Sequence, residues 1–162
     1  PVTKIGNEAF KDTTITSIVI PDSVTAIGEY AFSNCDSLTS VVIPESVTSI
    51  GSSAFENCDS LTSIEIPDGV TSIGNAAFVG CRGLTSVVIG DGVTSISERA
   101  FAACDNLISV TIGSGVTSIG EDAFADCYSL IDVFISSIEA WCNISFDDRY
   151  STTNPLCRGT NL

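Results

Sequence analysis

The sequence predicts a solenoid, one small unit wound and stacked on itself, and three observations predict it. Cysteine recurs at positions 35, 58, 81, 104 and 127, an unbroken 23-residue step. Aligned on those cysteines, Leu38, Val41, Ile43, Val47, Ile50, Ala54, Phe55 and Cys58 recur as Leu61, Ile64, Ile66, Val70, Ile73, Ala77, Phe78 and Cys81, and then twice more as far as Cys127. Proline or glycine punctuates each unit at fixed offsets. Self-similarity at a fixed period of this length marks a repeat array, and 23 residues are too few for a two-helix unit.

Within one unit, Leu38-x-x-Val41-x-Ile43 ends in period-two alternation of β-branched residues, which predicts a short strand with one face buried. Pro21, Pro44 and Pro67 follow that strand in three units, where a residue with no ladder donor fits a strand end. Val47 to Gly51 predicts a second brief extended segment closed by glycine. Ser52 to Cys58 carries Ala54-Phe55 and has room for one or two helical turns. Asn57 and its counterpart Gly80 suit a left-handed turn before the cysteine.

Stacked units place parallel strands about 4.8 Å apart, with each apolar position over its own copy. Burying a Leu, Ile, Val or Phe side chain is worth roughly 1.5–3 kcal/mol, so a coil contributes on the order of 10 kcal/mol gross. Chain entropy offsets most of that.

The run L-T-S-V-V-I-P-E-S-V-T-S-I-G-S-S-A-F-E-N-C-D-S resembles the 23-residue leucine-rich repeat of the BspA-like family, over residues 2 to about 135. The resemblance implies a leucine-rich-repeat solenoid of about six units: a curved right-handed coil with a parallel β-sheet on its concave side and short strands or helical turns on its convex side. It also implies a bacterial cell-surface or extracellular setting and a role in adhesion.

Some units depart from the pattern. The first has no cysteine and reaches Ile15 one residue early, so its turn is tightened. Gly90 and Gly113 replace proline, and Ser97 replaces glycine, which is expected to loosen those turns. From Ser136 to Leu162 the repeat is abandoned, and Ile138, Trp141, Ile144 and Phe146 are spaced for one face of a short helix that caps the last coil or forms an insert. Residue 1 begins inside a unit and no signal peptide is present, which suggests a piece of a larger protein.

Composition narrows the function. An apolar content of 44% predicts an ordered domain, and no run approaches the ~20 apolar residues of a membrane span. The net charge of −14, with six Lys and Arg in all, argues against nucleic acid and anionic membranes. The protein is expected to be monomeric. With no histidine, no Ser-His or Cys-His pair and no phosphate-cradling loop, the chain is read as non-enzymatic with no cofactor. The adjacent acids Glu121-Asp122 and Asp147-Asp148 read as solvated surface rather than as a glycosidase pair.

The five repeat cysteines read as a structural ladder of buried thiols, since parallel side-chain vectors suit packing better than disulfides. Zinc would need converging ligands that this spacing does not supply. Cys142 and Cys157 stand outside the ladder, either bridged or free. Asp22, Glu45, Asp68 and Asp91 form an acidic column, splayed into water or holding a hard cation such as Ca²⁺ between coils.

The outward side of the first strand gives the candidate binding face. One stripe is Ser17, Ser40, Ser63, Ser86, Ser109 and Asp132, with Val19, Val42, Glu65, Val88, Thr111 and Phe134 beside it. Either these residues only stabilise the sheet through neighbour contacts, or Val19, Val42, Val88 and Phe134 form a shallow patch for a protein or glycan. The corresponding functions are a surface adhesion or ligand-binding module and a passive spacer.

Overall fold

The computed structural model describes residues 2–147. The chain order is β1 (Lys4–Ile5), β2 (Ser17–Val19), β3 (Ala26–Ile27), β4 (Ser40–Val42), β5 (Ser49–Ile50), β6 (Ser63–Ile66), β7 (Ser72–Ile73), β8 (Ser86–Ile89), β9 (Ser95–Ile96), β10 (Ser109–Ile112), β11 (Ser118–Ile119), β12 (Asp132–Ile135), α1 (Ile138–Cys142) and β13 (Ser145–Phe146). All the pairings are parallel, and each joins equivalent positions of successive coils. The chain is therefore a solenoid, with two strands in each complete coil.

The two strands feed different sheets. The odd-numbered strands form one seven-stranded sheet in the order β1-β3-β5-β7-β9-β11-β13. The even-numbered strands divide into a two-stranded sheet, β2-β4, and a four-stranded sheet, β12-β10-β8-β6. Among the described residues β4 and β6 are adjacent but not hydrogen-bonded neighbours. Proline does not account for the split, since Pro44 lacks an N–H at the same position and β4 still pairs with β2. In the next coil the Gly90 N–H donates to the Ile66 carbonyl at 2.8 Å, whereas Pro67 has no N–H to offer at that position. Gly90 therefore extends the ladder where the sequence predicted a loosened turn. Gly113 is likewise tightly seated, since a Cβ there would lie 2.3 Å from the Gly90 carbonyl oxygen.

The segment from Ser52 to Cys58 takes the form of linked turns rather than α-helix. Within the coil, the N–H groups of Ala54, Glu56 and Cys58 donate to the carbonyls of Gly51, Ser53 and Phe55. The intervening N–H groups of Ser53, Phe55 and Asn57 donate to Asn75, Ala77 and Val79 of the next coil. A helix would satisfy these donors internally, whereas here half of them bind the neighbouring coil. The alternation needs left-handed residues at two points, φ 52° at Ser53 and 54° at Asn57. The sequence indicates the second, through Asn57 and Gly80, but conceals the first, because Tyr30, Ser53, Ala76 and Arg99 occupy it in turn.

The interior is a set of columns. Phe10, Phe32, Phe55, Phe78, Phe101 and Phe124 stack with centroids 5.0–5.4 Å apart and planes within 10° of parallel. The five repeat cysteines are buried and free. Each thiol donates to a phenylalanine carbonyl of the preceding coil, as Cys81 Sγ does to Phe55 at 3.0 Å and Cys127 Sγ to Phe101 at 3.1 Å. In the first coil Thr13 takes the cysteine position, and its hydroxyl donates to Phe10 at 2.7 Å. Burial raises the Cys35 thiol pKa, while the adjoining thiols of Cys81 and Cys127, aided by burial, hold Cys58 and Cys104 well above the usual range.

The last coil departs from the sequence reading. Ser137 caps α1, its side chain accepting from the Ala140 N–H at 3.0 Å. Trp141 is buried and meets Phe146 edge-on at 5.5 Å, but Ile138 is exposed, so the predicted four-residue face does not form. Phe146 lies instead in β13, paired with Ile119 in the seven-stranded sheet. The repeat thus continues beyond residue 135, with a four-residue phase shift that accommodates α1. Cys142 is exposed, and its proposed bridge to Cys157 falls outside the described residues.

Phe78→Ala leaves a void in mid-column and is expected to cost about 3–5 kcal/mol in denaturant unfolding; Phe10→Ala, at the half-buried end, is expected to cost less. Alkylation mapped by mass spectrometry is expected to modify Cys142 in the native protein and the five ladder cysteines only after unfolding. Because raised thiol pKa values favour the folded state while unfolded thiols remain protonated, stability is expected to be full below pH ~8.5 and to fall as pH rises further, measured by melting midpoint.

Candidate functional site

The outward face of β6, β8, β10 and β12 follows from strand alternation. Ile64, Val87, Val110 and Val133 point into the core, so Glu65, Val88, Thr111 and Phe134 point out, in register with one another. Of these, Val88 and Phe134 are exposed apolar residues, 42% and 55% accessible. Ser63 is exposed, whereas Ser86, Ser109 and Asp132 are half-buried beside them.

The predicted stripe is not one continuous surface. Val19 and Val42 are exposed with Ser17 and Ser40, but they belong to the two-stranded sheet beyond the split. A groove of about 300 Å³ marks the split, lined by Val41, Val42, Ile43, Pro44, Glu45, Glu65 and Pro67. A second groove, of about 310 Å³, lies on the four-stranded side, walled by Val88, Ile89, Thr111, Ile112, Phe134 and Ile135, with Asp68 and Asp91 at its border. Val88, Thr111 and Phe134 are therefore brought together, while Val19 and Val42 stand apart from them.

Sequence reasoning missed two contributors. Ile108 and Ile131 are exposed at 43% and 52%, at the position that Thr39, Thr62 and Thr85 occupy in earlier coils. The signal was available in the repeat itself, as the change from hydroxyl to aliphatic at a solvent position in the last two coils. Exposed apolar side chains thus occur just before β10 and β12 as well as on β8 and β12, with others at Val19, Val42, Tyr128 and Ile138.

The acidic column has a structural use. Glu45 Oε2 accepts from the Gly69 N–H at 3.0 Å, Asp68 Oδ1 from the Asp91 N–H at 2.7 Å, and Asp91 Oδ1 from the Ser114 N–H at 2.6 Å. Each carboxylate caps the turn of the following coil. Asp22 is exposed. Among the described residues no group of three or more Asp, Glu, Cys or His is arranged to hold a metal ion. A second charged column runs Asp36, Asp59, Arg82 and Asp105, with Arg82 Nη1 3.4 Å from Asp59 and Nε 3.9 Å from Asp105. Of the paired acids, Glu121 and Asp122 are half-buried, and Asp148 lies outside the described residues. No helix among the described residues is long and apolar enough to cross a membrane.

No curated protein matches the chain at a significant level. Solved structures do. A leucine-rich-repeat protein of Treponema pallidum is 30% identical with a TM-score of 0.82, the match covering 90% of this chain and 67% of that one. Another, from Eubacterium ventriosum, is 30% identical with a TM-score of 0.72 over 75% of this chain. A leucine-rich cell surface protein of Faecalibacterium prausnitzii is 31% identical with a TM-score of 0.51 over 89%. The chain spans 33% and 54% of the last two proteins. A model of the BspA-type leucine-rich-repeat region matches six copies across residues 3–148. The periodic interior and these matches agree, and the chain belongs to the BspA-type leucine-rich-repeat family.

Proposed function

We propose that the chain is a non-enzymatic binding module, displayed at a bacterial surface, that takes a protein or glycan ligand on the outer face of β8, β10 and β12. The observation that carries this reading is that Val88 and Phe134 stand exposed on either side of Thr111 in one register row, against an apolar groove, over a core whose own positions are already filled. Clustered exposed apolar residues cost solubility unless a partner covers them. The likeness to a protein described as a leucine-rich cell surface protein supports the location. The absence of histidine leaves the usual near-neutral proton carrier out of the chemistry and supports binding over catalysis.

Capture from host protein and glycan arrays tests the reading. Phe134→Ala is expected to weaken capture about tenfold, whereas Val42→Asp, beyond the split, leaves it unchanged. Capture that ignores Phe134→Ala, or an empty array, would favour a passive spacer.

A further inference from the structure

Resting on that reading, we infer that the ligand is a cationic peptide segment that places a large apolar side chain in the groove over Thr111, between Val88 and Phe134. The groove, at about 310 Å³, has room for one such side chain, and Val88, Ile89, Ile112, Phe134 and Ile135 give it apolar walls. Few hydrogen-bonding groups line it beyond Thr111, Ser136 and the two bordering carboxylates, which is a poor match to the many hydroxyls of a sugar.

Charge selects among the remaining occupants. Asp68 and Asp91 border the groove, and Glu65 projects from the same face, in register with Val88. No Lys or Arg occurs in β6, β8, β10 or β12 or in the groove lining. The nearby Arg82 is drawn toward Asp59 and Asp105. The capping bonds to the backbone hold Asp68 and Asp91 at Oδ1, which fixes the position of both carboxylates beside the groove. A second copy of this chain, at net charge −14, is repelled, as are nucleic acid and anionic lipid. Lysine or arginine flanking an aliphatic or aromatic residue satisfies both features at once, the apolar side chain desolvating and the cations meeting the acidic border.

Fluorescence anisotropy with a fluorescein-labelled peptide of alternating lysine and leucine around a central phenylalanine tests the inference. The wild type is expected to bind it, more tightly as salt is lowered. Phe134→Ala is expected to weaken binding about tenfold without changing the melting midpoint. The double substitution Asp68→Asn with Asp91→Asn keeps the capping acceptors and removes the charge, so it should weaken binding and flatten the salt dependence. A lysine-serine peptide of the same charge should bind poorly. The inference is overturned if that peptide binds as well, if a glutamate-leucine peptide binds as well, if Phe134→Ala has no effect, or if the lysine-leucine peptide does not bind. Should array capture of a neutral ligand be lost in Phe134→Ala yet ignore the Asp→Asn pair, the binding face stands and its cationic ligand falls. Should no capture respond to Phe134→Ala, both readings fall.

Discussion

Hydrogen bonding from one coil to the next is the constraint on which the rest of this molecule depends. In a helix the backbone is satisfied within the element, but here roughly alternate donors of even the turn segments reach into the neighbouring coil. The threonine column shows the same economy. The N–H and Oγ1 of Thr48, Thr71, Thr94 and Thr117 all donate to the threonine carbonyl one coil earlier. A lone coil would leave these groups to water and its apolar side half-covered, so the folding unit is the stack. That spacing of about 5 Å then dictates the interior. Rings must lie parallel, and glycine predominates where backbones meet, as at Gly51 and Gly74, where an added Cβ would come within 2.7 Å of the preceding backbone, with Ser97 the exception in that column.

The same spacing creates an electrostatic problem, because any acidic position becomes a row of like charges. The chain answers it in two ways. Where the row is Glu45, Asp68 and Asp91, each carboxylate accepts from a backbone N–H of the following coil. Where the row is Asp36, Asp59 and Asp105, Arg82 stands between the last two. An exposed pair of this kind contributes little by itself. Its effect here is to remove a repulsion that an acid at position 82 would have added.

Legibility in the sequence follows from these constraints. Leu, Ile, Val, Ala, Phe and Cys at the eight template positions are fixed by stacking against their own copies, and all of them from Leu38 to Cys127 are buried except Val41. Val41 escapes because it borders the split, which a periodic pattern does not reveal. The outward residues were placed correctly by alternation, but their division between two sheets was not visible. The strand at Ser145–Phe146 was hidden differently. It carries the expected serine and a large apolar residue, displaced by the turn of helix that brings Trp141 over the coil end. Spacing arithmetic detects repetition and fails at the one place where the phase shifts.

The candidate site arises where the interior rules leave freedom. At position 90 glycine adds a ladder bond, lets the backbone approach to where a Cβ would lie 2.7 Å from the Asp68 nitrogen, and leaves the groove wall without a side chain. Position 108 tolerates threonine or isoleucine, yet isoleucine turns a hydrated edge into an apolar one. Both changes fall in the later coils, and at position 108 the backbone bond to Thr85 is kept while the hydroxyl bond that Thr39 and Thr85 make to the preceding coil is lost. A repeat protein of this construction can therefore vary its outer face at small cost to its fold, since Val88 and Phe134 occupy a different column from the buried residues that hold the coils together. The acidic caps bridge the two sets: fixed by the backbone on one side, they present charge to the groove on the other, so a partner is met by a surface whose electrostatics are already in place.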